Sequence, residues 1–213
     1  MCREKTLWEQ TVDFHGHECM GLALGYRVAE AALQALGDFR DIDEEMVAIV
    51  ENDSCAVDAI QFVTGCTLGK GNLIFRDFGK LAYTFILRKN GKAVRITIND
   101  RTREEIGSEQ EQQTFLDLRK KVFSGQASEE EKELFRAMTK KQTEEFLARP
   151  LEEVCDIKEV ECAIPEKARI FASVTCSLCG EKVMEPRARV KNGNPVCIPC
   201  ADSYSRGWEE RKS

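Results

Sequence analysis

No apolar run in this chain approaches the roughly 18 residues that a membrane-spanning helix needs, so no span is expected. The opening residues, M-C-R-E-K-T-L-W, are charged and hold no apolar stretch of the secretory kind, which points to the cytoplasm. Internal repeats and low-complexity segments are missing too. Histidine is scarcest of all: 213 residues carry two, His15 and His17, within one tripeptide. Cysteine, by contrast, is plentiful. Ten cysteines without a secretory leader read as reduced thiols and metal ligands rather than as a disulfide framework. Apolar content of 42% and charged content of 32% suit a water-soluble chain, long enough for one medium domain and one small one. Residues 166–213 hold 9 Lys/Arg against 6 Asp/Glu, while residues 1–165 hold 22 against 31. An acidic body argues against nucleic acid as a partner; the mildly basic tail leaves that open.

The stretch F-H-G-H-E-C-M-G-L-A-L-G-Y-R, residues 14–27, concentrates the chemistry. Imidazole and thiolate are the soft ligands and proton carriers of proteins near neutral pH. Leu22, Tyr26, Ala29, Leu33 and Leu36 then recur at helical spacing, so a helix is expected from about Glu18 or Cys19 to a terminating Gly37. Cys19 would stand at its N-terminus, where unpaired N–H groups favour a thiolate. The plain alternative is a glycine-bearing turn whose His and Cys are merely packed or exposed.

Before this stretch, residues 5–14 pattern as a short helix. After it come an acidic connection, the buried-strand run M-V-A-I-V, and a helix C-A-V-D-A-I-Q-F-V-T capped by Asn52-Asp53-Ser54 and ended by Gly65. Three strands are expected next, in L-I-F-R-D-F, A-Y-T-F-I-L-R and A-V-R-I-T-I-N, as an antiparallel meander with a type I′ turn at Asn90-Gly91. Ser108 with Glu111, and Ser128 with Glu131, are capping boxes opening a helical hairpin closed by Pro150. Residues 154–165 and 169–174 read as two strands leading to the tail, with Cys155 and Cys162 as small buried residues. The order is therefore two helices, a strand, a helix and the meander, an α+β arrangement over residues 1–165 with helices packed on one sheet, an added helical hairpin, and a separate module over 166–213.

That module carries Cys176-x2-Cys179, then seventeen residues, then Cys197-x2-Cys200. Two such knuckles supply the four thiolates of a structural zinc, and Asn192-Gly193 offers the hairpin that folds one onto the other. So short a segment draws most of its folding energy from the metal. In the core, Cys55 opens a helix as Cys19 does. If the two helix starts lie side by side, His17, Cys19 and Cys55 share a second transition metal, zinc by donor type, with a fourth position open. His15, Asp58 and Cys66 are then candidates for a further ligand, an acid or base, or a group behind the ligands. A metal-free dithiol pairing Cys19 with Cys55 or Cys66 is the competing chemistry. Gly69-Lys70-Gly71 lacks the spacing of a phosphate loop and reads as a turn, with an anion site at Lys70 as the alternative.

F-H-G-H-x-C-x-G-L-A-L-G-Y-R followed by C-x2-D-A-I-Q-x3-G-C-T-x-G-K-G-N-L resembles the FmdE family, named for the E component of formylmethanofuran dehydrogenase, over roughly residues 14–73. The terminal four-Cys module resembles a zinc domain that members append. The resemblance implies an α-β-α-β-β-β core with helices packed on a mixed sheet, a homodimer, and a His/Cys pocket at His17, Cys19 and Cys55, with His15, Asp58 and Cys66 close by. Met20 stands where the family usually has proline. The role implied is a metal-binding accessory or redox protein allied to a molybdenum or tungsten enzyme system. A stand-alone metal-dependent enzyme, and a regulator whose zinc module binds nucleic acid or protein, are the alternatives.

Overall fold

A computed structural model describes residues 3–37, 40–99 and 108–203, and the chain divides into two compact units, Met1–Lys167 and Ala168–Ser213. In the first unit Thr6 and Glu9 form a capping box that starts α1 (Leu7–His15), and Gly16, at φ 94°, ends it. Helix α2 (Met20–Leu36) follows at once, with Cys19 as its N-cap residue and Gly37, at φ 108°, as its stop. Met20 thus takes the first helical position without disturbing the helix start.

Strand β1 (Met46–Val50) is buried throughout, and α3 (Ala56–Thr64) carries the chain back to β2 (Leu73–Phe75). Strands β3 (Ala82–Leu87) and β4 (Ala93–Ile98) complete the expected core order. The strands do not form a simple meander, however. The sheet order is β2-β1-β3-β4-β5, with β1 parallel to β2 and antiparallel to β3. The β1-α3-β2 unit is a crossover connection, which makes its strands parallel and places β1 between β2 and β3. The β3–β4 connection also differs from a type I′ turn. Gly91 alone takes a positive φ, 70°, and its N–H donates to Leu87 O at 2.9 Å, so the loop is wider than two residues.

Met46, Ala48 and Val50 alternate on one face of β1, with Tyr83, Phe85 and Leu87 of β3 and Val94 and Ile96 of β4 beside them; α2 and α3 cover that face. Each fully buried large side chain here is worth about 1.5–3 kcal/mol relative to exposure. The helices meet through small residues. A Cβ on Gly25 would fall 2.2 Å from Ala56 O and 2.5 Å from Ala56 Cα, a backbone-on-backbone approach that only glycine permits. Asp41 locks the far end: its buried carboxylate accepts from Met46 N at 2.8 Å, Asn72 Nδ2 at 2.8 Å and the Lys70 ammonium. Lys70 is therefore a structural cation holding a turn.

Helices α4 (Glu109–Phe123) and α5 (Glu129–Leu147) carry both expected capping boxes. Phe115 and Phe135 stack at 5.1 Å between them, and the buried α5 residues Thr143 and Phe146 belong to the end that packs on α2. Residues 101–107, read as the start of this helical region, lie outside the described residues. After the single turn α6 (Leu151–Val154), β5 (Cys155–Glu159) pairs with β4 as the sheet's edge rather than leading to the tail. Cys155 is buried there, but Cys162 lies beyond the strand end and is exposed, against expectation. No described helix is long and apolar enough to cross a membrane.

The second unit is two small hairpins, β6 (Ser173–Thr175) with β7 (Lys182–Met184), and β8 (Arg189–Lys191) with β9 (Asn194–Val196). Asn192 and Gly193 both take positive φ, 51° and 77°, as the two centre residues of a type I′ turn must.

Candidate metal centre

Four side chains from two stretches of chain, residues 15–19 and residue 55, converge at the top of α2 and α3. His15 is the last residue of α1, His17 lies in the connecting loop, Cys19 caps α2, and Cys55 immediately precedes α3. One ligand atom from each lies within 4.8 Å of all the others. The glycines make this possible. Gly21, one turn before Gly25, leaves room that a Cβ would use up at 3.3 Å from Cys55 Cβ and 3.9 Å from both sulfurs.

The His15 ring decides what the group can hold. Its Nδ1 lies 2.7 Å from Asp58 Oδ2, and its side chain is 10% exposed. Its Nε2 is buried and has no hydrogen-bond partner among the described residues. A carboxylate on one imidazole nitrogen, with the other nitrogen free and turned inward, is the usual setting of a metal-bound histidine. Asp58 is itself approached by Gln61 Nε2 at 3.5 Å. His17 stacks beside His15, with ring centroids 4.4 Å apart. Two imidazoles and two thiols with this spacing make an N2S2 donor set, the tetrahedral preference of zinc.

The Cys19 thiol alone is not activated as the helix N-terminus suggested. Burial pushes the Cys19 thiol up; the Leu22 N–H, 3.4 Å from its sulfur, pulls it down, and the neighbouring Cys55 raises it again. A cation between the sulfurs would supply the missing opposite charge.

Of the residues singled out from sequence, His15, His17, Cys19, Cys55 and Asp58 come together; Cys66 does not. Helix α3 is nine residues, about 13 Å, long, with Cys55 before it and Cys66 past its other end. Cys66 is fully buried, its thiol donates to Met46 O at 3.6 Å, and burial pushes its pKa up to about 12. It is a packing residue. A cleft of 460 Å³ opens beside the group, walled by His15, Cys55, Asp58 and Gln61 and by apolar Leu68 and Phe75.

In the second unit Cys176, Cys179, Cys197 and Cys200 likewise lie within 4.8 Å of one another. Cys179 Sγ and Cys197 Sγ are 3.8 Å apart. That is the edge of a tetrahedron of thiolates about 2.3 Å from a central zinc, for which geometry gives about 3.8 Å. Backbone N–H groups of Cys179, Cys197 and Leu178 hold the Cys176 thiol well below its ordinary range.

Comparison with known proteins divides the chain at the same place. Residues 14–156 match the family described as FmdE, molybdenum formylmethanofuran dehydrogenase operon. Residues 169–206 match the prokaryotic dksA/traR C4-type zinc finger, which implies zinc in the tail. A probable S-adenosyl-L-methionine-binding protein of Archaeoglobus fulgidus is 36% identical over 196 residues. The alignment takes in 90% of this chain but 51% of that protein, so the chain spans about half its length. The crystal structure of a tungsten formylmethanofuran dehydrogenase FmdE-like protein from Syntrophus aciditrophicus superposes with a TM-score of 0.56. That alignment covers 94% of this chain and 96% of that one at 22% identity, a likeness of fold.

Proposed function

The chain belongs to the FmdE family, and on that premise we propose that it is a metalloprotein with a working ion in its core and a structural zinc in its tail. His15 Nε2, His17, Cys19 and Cys55 would hold the core ion, with Asp58 fixing the His15 tautomer. The observation that carries this reading is the buried, unpartnered Nε2 of His15, opposite the nitrogen that Asp58 engages. It also changes the ligand count expected from sequence, since His15 supplies a fourth donor where an open position was foreseen. When bound, zinc would supply a Lewis acid. Asp58 and Gln61, facing the cleft, would orient His15 and accept or return a proton at the Asp58 carboxylate.

The role proposed is accessory metal binding beside a molybdenum or tungsten enzyme, as the family's description suggests. A homodimer in the cytoplasm is proposed with it, supported by exposed Leu116, Phe123 and Leu134 on the hairpin and by the free thiols of all nine described cysteines. A metal-dependent enzyme is the second reading, favoured by the cleft that reaches Cys55 and Asp58.

Metal analysis of the purified full chain tests the core site. About two zinc equivalents are expected for wild type, and about one each for Cys55→Ser and Cys176→Ser. Serine is a good residue before a helix, so Cys55→Ser removes a ligand without costing α3 its start. An unchanged metal count in Cys55→Ser would refute the core site.

A further inference from the structure

A second, larger cavity touches the same group. Its volume is 720 Å³, and His17 meets there the N-terminal half of α5 and the end of α4. Lys132, Arg136 and Lys140 line it; spaced four apart, they form one stripe along α5. Val122 and Phe135 give the same wall an apolar part, and Phe135 is braced by its stack on Phe115.

The three cations are held loosely. Lys132 pairs with Glu129 at 2.6 Å, Arg136 with Glu133 at 2.9 Å and Lys140 with Glu144 at 3.9 Å. Those carboxylates are 82%, 76% and 64% exposed, and exposed pairs of this kind contribute at most about 1 kcal/mol. A ligand anion can displace them at little cost. Two acids also line the cavity, Glu133, paired with Arg136, and Glu18, which accepts from the Thr143 hydroxyl, so the three cations leave the lining with a net charge of +1.

We infer that this cavity binds a small organic anion with an apolar portion, its charged end on Arg136 and Lys140 and its body on Val122 and Phe135, next to His17. The position beside the core ion rests on the metal reading above; the binding itself does not. The guanidinium of Arg136 suits a carboxylate or phosphate, which it meets through two parallel N–H donors.

Calorimetric titration of the full-length chain with phenyl phosphate tests the inference, with benzyl alcohol as the neutral control. Expected are binding of phenyl phosphate that weakens with salt, no binding of benzyl alcohol, and an affinity about tenfold lower in Arg136→Gln and in Lys140→Gln. Both side chains are mostly exposed, 65% and 66%, so these variants keep the fold. No heat with phenyl phosphate, or wild-type affinity in both variants, overturns the inference. Affinity lost in Cys55→Ser but kept in Arg136→Gln puts the anion on the ion and overturns it as well. Affinity kept in Cys55→Ser supports the stripe, and the metal count of that variant judges the core ion separately.

Discussion

Gly25→Ala would press hardest on the geometry that joins the two cysteines. The added Cβ would lie 2.2 Å from Ala56 O, and ordinary van der Waals contact begins at 3.4 Å, so α2 and α3 must part by about 1.2 Å there. The three nearest atoms it meets are all backbone, so no side chain can swing aside to relieve them. Overpacking of this kind costs about 1–3 kcal/mol, and backbone resistance puts this case near the upper end. For a domain of this size each kcal/mol lowers Tm by about 2–4 °C, so a fall of about 4–12 °C is expected. Ala56 adjoins Cys55, so the same displacement moves a ligand. A zinc site tolerates about 0.2 Å in its bond lengths, far less than the forced shift. The variant should therefore lose the core ion while retaining the tail zinc, about one equivalent in place of two. Calorimetric melting with metal analysis on one preparation reads both effects. A Gly25→Ala protein that melts within about 2 °C of wild type and holds its full complement of metal would refute the close approach.

Cys176→Ser or Cys197→Ser should release about one metal and open the tail to protease while the first unit stays resistant, because the ion supplies the folding energy of so short a segment; equal resistance after chelation would count against a structural zinc. Cys66→Ser should leave the metal count unchanged and lower stability by about 1 kcal/mol, since a buried thiol is exchanged for a hydroxyl; loss of the core ion would show that it reaches the site. Hydrogen bonding from Arg95, at 2.5 and 3.0 Å, holds the Glu51 carboxyl below its ordinary range, with burial opposing. A depressed acid contributes stability that is full above the unfolded value, about 4.3, and lost as pH falls through the folded value. Urea midpoints between about pH 6 and 3 should therefore fall less steeply in Glu51→Gln than in wild type, and identical slopes would dismiss the pair's contribution. Sedimentation at micromolar concentration should give a dimer, and a compact monomer would dismiss the exposed hairpin faces as its interface.

The candidate site was legible where its cause is local. Cys19 and Cys55 announce themselves because helix starts are written in a few neighbouring residues, and the four-Cys tail because its spacing is itself the chemistry. His15 was visible as a candidate, but which of its possible roles it takes was not. Its partner Asp58 is 43 residues away, and only the packing of α1 against α3 brings them together. One signal was available: Asp58 and Gln61 are one helical turn apart and follow Cys55 on the same helix. Cys66 misled because nearness in sequence to α3 says nothing about which end of it a residue occupies. The same limit explains β1, whose place between β2 and β3 depends on the crossover, and β5, whose five residues join an edge formed by strands far earlier in the chain.

The position of β5 has a consequence in time. The contacts between α2 and α3 all fall within the first 64 residues, whereas Cys155, the first residue of β5, follows Cys55 by 100 residues. Translation at about 5–20 residues per second separates the two by about 5–20 s. All four donors thus leave the ribosome well before the strand that finishes the sheet. The nascent chain has all four candidate ligands long before it has a closed fold, so an ion bound there at that stage would be drawn from whatever supply surrounds the ribosome during those seconds.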